Sequence, residues 1–277
     1  MRFSITAVAS LFTMAAATKF TSYSYGPNVL QSYDVYIPVS ANETAISDKY
    51  WIVYLHGGFY RDFAQNSTSI EAAITSLEVN NSDVLSNKVA GIASLNYRLS
   101  ALPGVQPNNT PTNELQNARW PDHLNDAVAA VKDLGKRYPI DGKYVIGGHS
   151  VGAQISFLAI LETLKDASIP KPVGVLGTSG IYDYPQLHAT HPDYDYLVLN
   201  AMREDQLVEA SPAKIDAESR NDGLVPWDQV EAIEATLESV PELKSKTSIV
   251  ELDGQHNEIW RGGVQLAKAF TETLALL

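Results

Sequence analysis

The chain has 277 residues, a formal net charge of −12, 45% hydrophobic and 19% charged residues, and no cysteine. That length suits one large α/β domain or two small ones. The acidic balance argues against a nucleic-acid or anionic-membrane surface, since both need basic patches, and the absence of cysteine excludes disulfides, thiolate catalysis and cysteine-ligated metals.

Residues 1–17 carry Arg2 and then a mostly apolar and small run, Ile5 to Ala17, that ends in Ala15-Ala16-Ala17. This pattern predicts a secretory signal peptide, and the run is shorter than the roughly 20 residues a bilayer span requires. An N-terminal strand or an organelle-targeting helix fits the same residues, with a cytoplasmic protein as the alternative. N-glycosylation triplets at Asn42, Asn66, Asn80 and Asn108 lean weakly towards secretion. Residues 18–277 are expected to form a single domain.

Beyond the N-terminus, strand and helix signals alternate. Tyr33 to Ile37 alternates and stops at Pro38, as a half-buried strand does. Tyr50 to Leu55 and Val89 to Leu95 are continuous apolar runs, typical of strands covered on both faces. Tyr144 to Ile146, Val173 to Leu176 and Ser248 to Leu252 complete the expected strands. Helices are expected over Ser69 to Val79, Asp122 to Tyr138, Val151 to Leu164, Trp227 to Leu237 and Val264 to Leu276. Ser100 to Arg119, with three prolines and four asparagines, reads as a long loop. The order predicts a mostly parallel central sheet with helices on both faces.

Gly148-His149-Ser150-Val151-Gly152 matches the G-x-S-x-G nucleophile elbow and stands between an expected strand and an expected helix. The glycines permit a sharp turn that lifts the Ser150 hydroxyl to a helix N-terminus, where the Val151 N–H can stabilise negative charge. His56-Gly57-Gly58-Phe59-Tyr60 follows the strand Tyr50 to Leu55, and the Gly57 and Gly58 amides are the other half of an expected oxyanion hole. A plain β-turn and a serine-capped helix start are the bland readings of these two motifs. Their pairing favours catalysis.

The base must be one of six histidines. His56 reads as a brace for its loop, His149 is locked inside the elbow, His123 opens a helix, and His188 and His191 lie in a polar segment. His256, after the last expected strand, holds the place of a triad base in the chain order Ser, Asp, His. The acid must then lie between Ser150 and His256. Asp222 heads a turn followed by Leu224-Val225 and is the expected acid, with Asp183 as the next choice. Phe59, Tyr60 and Trp260 flank the oxyanion loop and the base, so at least one is expected to stack on an aromatic substrate. Core packing suits Trp260 equally well.

From about residue 23 to the end, the chain resembles the kynurenine formamidases (arylformamidases) of the fungal type, in the α/β-hydrolase superfamily. The carrying residues are Tyr25-Gly26-Pro27, His56-Gly57-Gly58-Phe59-Tyr60-Arg61-Asp62, Asn96-Tyr97-Arg98-Leu99, Gly148 to Ala153, Gly180-Ile181-Tyr182-Asp183, Ser211-Pro212, Asn221 to Val225 and His256-Asn257-Glu258-Ile259-Trp260. The closing His-Asn-Glu-Ile-Trp and the His-Gly-Gly-Phe-Tyr-Arg-Asp form are the more selective motifs. The resemblance implies a Ser150, Asp222, His256 triad. It also implies hydrolysis of the formamide of N-formyl-L-kynurenine to kynurenine and formate, without a metal or other cofactor.

The chain departs from that family in two places. The family carries a loop and a core strand between Ser-Pro and the acid turn, and Ala213 to Arg220 cannot hold both. The sheet is therefore expected to be one strand short there, with Asp222 near His256 on a weakly supported loop. The secretory-looking N-terminus is the second departure. A secreted carboxylesterase with the same triad, or an inactive hydrolase-fold binding protein, are the alternatives.

Overall fold

The computed structural model describes residues 20–38, 48–102, 104–212, 229, 231 and 248–277. The expected signal peptide, Asp222 and nearly all of the expected helix Trp227 to Leu237 lie outside the described residues.

Six strands form one sheet: β1 (Phe20–Ser24), β2 (Ser32–Tyr36), β3 (Tyr50–Leu55), β4 (Val89–Leu95), β5 (Tyr144–His149) and β6 (Gly174–Thr178), in the spatial order β1-β2-β4-β3-β5-β6. β1 and β2 pair antiparallel, β2 runs antiparallel to β4, and β4, β3, β5 and β6 are mutually parallel. The helices are α1 (Glu71–Asn80), α2 (Ser82–Lys88), α3 (Asp122–Arg137), α4 (Val151–Lys165), α5 (Tyr184–Thr190), α6 (Asp195–Ala201), α7 (Glu258–Arg261) and α8 (Val264–Ala275). None of the described helices is long and apolar enough to cross a membrane.

The continuous apolar strands are explained by the two cores they separate. In β3, Trp51, Val53 and Leu55 face a cluster with Leu124, Ala127, Val131 and Leu134 of α3 and Ile155 and Leu158 of α4. Ile52 and Tyr54 face the opposite cluster, with Ile74 and Leu77 of α1, Leu85 of α2 and Leu266, Phe270 and Leu274 of α8. Alternation along a strand sends successive side chains to opposite faces, so a strand between two helix layers must be apolar throughout. Burying a large aliphatic or aromatic side chain stabilises by about 1.5–3 kcal/mol.

Five of the expected strands correspond to β2 to β6, with ends that differ by up to three residues. Ser248 to Leu252 is not a strand. Its side chains do find the apolar surroundings that the pattern demanded: Ile249 packs against Ala153, Phe157 and Tyr182, while Val250 and Leu252 pack against the α1–α8 core. Its backbone is met partly by side chains, since Lys268 Nζ donates to the Glu251 carbonyl at 2.7 Å. A strand is defined by backbone pairing with a neighbour, and burial alone does not provide one. Among the described residues, β6 is the last strand on this side of the sheet. β1 was not foreseen, nor were α2, α5, α6 and α7, none of them longer than seven residues. Such segments are too short to display a helical period.

Candidate active site

The elbow is formed by the end of β5 and the start of α4. Ser150 takes φ 56° and ψ −125°, a left-handed φ that costs a non-glycine residue on the order of 1–3 kcal/mol. The neighbours enforce it. The Ser150 N–H donates to the Thr178 carbonyl at 2.9 Å, and its own carbonyl accepts from Ala153 N–H at 3.0 Å. A Cβ on Gly148 would stand 2.3 Å from the Gly152 carbonyl carbon, and one on Gly152 would stand 2.3 Å from the Leu55 carbonyl oxygen. Both glycines of the motif are therefore required by contact between α4, β5 and β3. The Val151 N–H sits in the first turn of α4, where backbone donors have no intrahelical acceptor.

The loop after β3 carries three successive positive φ values, 98° at Gly58, 48° at Phe59 and 63° at Tyr60. It is held from several sides. Arg61 N–H and Asp62 N–H donate to the Gly58 carbonyl at 3.0 and 2.9 Å, and Ser100 N–H donates to the Tyr60 carbonyl at 2.7 Å. The Tyr97 hydroxyl donates to the His56 carbonyl at 2.9 Å. Gly57 lies against Ser150: a Cβ there would meet His149 Nδ1 at 2.8 Å and Ser150 Cβ at 3.0 Å. The loop after β3 and the elbow are thus in contact.

His256 arrives from the far end of the chain. Its carbonyl accepts a hydrogen bond from His149 Nε2–H at 2.9 Å, and the two rings lie 4.5 Å apart at 50°. The loop that carries His256 is shaped by Gly254 at φ 119° and by Gln255 N–H, which donates to Glu258 Oε2 at 2.8 Å. Ser150 and His256 are both buried, at 2% and 6% exposure.

The other histidines occupy different roles. His56 stacks on Tyr97 with centroids 4.4 Å apart, and its Nδ1–H donates to the Gly57 carbonyl at 2.9 Å. Burial pulls its pKa down to about 4 against the pull of that carbonyl and of Asp62, so it is a neutral brace. His123 is fully buried beside Ser100 Oγ, and burial lowers its pKa to about 3. His188 lies 2.6 Å from Asp195, and His191 stacks on Tyr194.

Of the three aromatic residues expected to meet a substrate, Tyr60 is placed differently. It is completely buried. Its hydroxyl donates to Gln154 Oε1 at 2.8 Å and lies 2.5 Å from the Tyr184 hydroxyl, and His123 occupies the ring's flank at 4.6 Å. Packing claims the ring because the positive φ at Tyr60 turns its side chain into the α4 side of the core. Trp260 packs against the α1–α8 core, with Nε1–H donating to Asn257 Oδ1 at 3.3 Å and Arg261 over its ring. Phe59 remains half-buried near Tyr194 of the segment between α5 and α6, with ring centroids 6.1 Å apart. Gln154 was not foreseen as part of this framework. Its Nε2–H also donates to the Ala210 carbonyl at 2.7 Å, and the available signal was a lone amide in an otherwise apolar stretch of helix.

Asp183, the second choice for the acid, caps α5: its Oδ1 accepts from Gln186 N–H at 2.9 Å. Gln229 accepts the Asp183 and Tyr182 N–H groups at 2.9 and 3.1 Å, which ties this turn to Gln229.

A mostly parallel sheet between helix layers, with a serine in a strained strand-to-helix turn and a glycine loop against it, defines an α/β-hydrolase. Solved structures share the fold: the carboxyl esterase 2 of Tuber melanosporum superposes with a TM-score of 0.63 at 18% identity, covering 95% of this chain and 87% of that one. No family model matches the chain. The kynurenine formamidase avaC of Aspergillus versicolor is 30% identical over 251 residues, which cover 77% of this chain and 84% of the relative. The kynurenine formamidase-like hydrolase fscH of Fusarium equiseti is 28% identical over 272 residues, covering 89% and 90%. The chain belongs to the kynurenine formamidase family and is a hydrolase of linear amides.

Proposed function

We propose that Ser150, His256 and Asp222 act as nucleophile, base and acid in hydrolysing the formamide of N-formyl-L-kynurenine or a related aryl formamide. The observation that carries this reading is the hydrogen bond from His149 to the His256 carbonyl, which brings a histidine from the end of the chain against the residue before the nucleophile. The family's substrate supplies the rest.

Ser150 Oγ attacks the formyl carbon while His256 takes the hydroxyl proton. The oxyanion receives N–H groups from Val151 and from Gly57 or Gly58, preorganised by the elbow and the strained loop. Collapse expels the arylamine, which takes the proton back from the imidazolium. Water, deprotonated by the same imidazole, then releases formate from the formyl-serine. Asp222 would hold the imidazole orientation and stabilise its cation. Phe59 supplies an aromatic wall beside the oxyanion loop.

Ser150→Ala should lower kcat by on the order of 10⁴ to 10⁶ without loss of fold, and a serine-directed organophosphonate should label the wild type alone. Formate release from N-formylkynurenine tests the substrate. Cleavage of p-nitrophenyl esters with no formate release would favour the esterase reading instead, and equal labelling of Ser150→Ala would remove Ser150 from the mechanism.

A further inference from the structure

The variable second position of the G-x-S-x-G motif has no role in hydrolase chemistry of its own, yet here it holds a fully buried histidine. His149 touches all three parts of the site. It precedes Ser150 in the chain, its Nδ1 side faces Gly57 of the oxyanion loop, and its Nε2 bonds to the His256 main chain at 2.9 Å across 107 residues of sequence. A carbonyl only accepts, so Nε2 carries the proton. The segment leading to His256, Ser248 to Leu252, is not a strand of the sheet, so strand pairing does not set the height of the base loop over the nucleophile.

We propose that His149 is a positioning residue that sets the register of the base loop on the elbow through this hydrogen bond. This rests on the reading of His256 as the base. The bond clamps the main chain of His256 and does not itself engage the imidazole. A base displaced by about 1 Å loses on the order of 10²-fold in rate, so a single clamp has a measurable consequence.

The test compares His149→Leu, which has no donor, with His149→Gln, whose amide nitrogen can replace Nε2–H. His149→Leu should lower kcat about 10- to 100-fold, with KM nearly unchanged and with parallel slowing of organophosphonate labelling. His149→Gln should keep most of the activity. In a His256→Ala background, measured on an activated ester, the His149→Leu penalty should vanish, because a residue that acts through His256 has nothing left to position. Equal losses in Leu and Gln, or a penalty that persists without His256, would overturn the proposal. Nitrogen-15 spectra of histidine-labelled wild-type protein give a check that needs no folded Leu variant: an Nε2–H tautomer is expected for His149, and an Nδ1–H tautomer overturns the clamp. A His256→Ala variant as active as the wild type would instead sink the catalytic reading, and that failure shows in the single variant alone.

Discussion

Ser150 holds φ 56° because the residues around it leave no other path between β5 and α4, and the same crowding explains the glycines on either side. Gly57 is the most informative of the nearby positions. It lies between His149 and Ser150 with room for hydrogen but not for a methyl group, which would come within 2.8 Å of one and 3.0 Å of the other. Gly57→Ala should therefore displace the nucleophile or the His149 ring. The expected outcome is a fall in kcat of about 10²-fold, with a stability loss of about 1–3 kcal/mol from overpacking. Steady-state kinetics and urea unfolding on the same preparation check both. Unchanged kcat would mean that the loop can retreat and that its amides are not held against the serine.

Among the elements, α7 and the loop that carries His256 form one unit. Glu258 N–H donates to the Gln255 carbonyl at 2.7 Å, and Ile259 is fully buried among the α1 and α8 side chains. Trp260 belongs to that packing. Trp260→Leu should lower stability by about 1–3 kcal/mol through lost burial, while the ratio of KM values for an aryl formamide and an acetyl ester stays as in the wild type. A selective rise in KM for the aryl substrate would return Trp260 to the substrate pocket. Phe59 is the element-level counterpart on the other side of the site. Phe59→Ala should raise KM for the aryl formamide selectively, by about 2- to 10-fold, as the loss of an aromatic contact implies. Equal changes for both substrates would show that it only packs against Tyr194.

For the molecule as a whole, two buried neutral histidines link stability to pH. Burial lowers His56 to about 4 and His123 to about 3, whereas an unfolded histidine titrates near 6.5. Between these values the unfolded chain binds more protons than the folded one, so stability rises with pH. This contribution is fully present above about pH 6.5 and is lost progressively as pH falls towards about 4 and 3. The total, fully lost only below about pH 3, is roughly 8 kcal/mol. Urea midpoints should fall steadily from pH 7 to pH 4.5, and His123→Gln should give a shallower slope. An unchanged slope in that variant would show that His123 protonates in the folded state at its ordinary pKa.

The sequence by itself determined the α/β architecture, because strands covered on both faces must be apolar throughout and their spacing with helical segments leaves few other folds. It also determined the elbow and the tight glycine loop after β3, since glycines at those spacings follow from local backbone geometry. Tertiary structure decided what depends on distant partners. Tyr60 sits in a motif read as a substrate-facing loop, yet Gln154 and Tyr184 take its hydroxyl into the core. Ser248 to Leu252 has the apolar pattern of a strand, but pattern encodes burial and not backbone pairing, and its burial is met by α8 and α4 side chains. The link from His149 to His256 could not be read from either residue, because it joins a side chain to a main-chain carbonyl whose position is set by the packing of α7 and α8 against the rest of the fold.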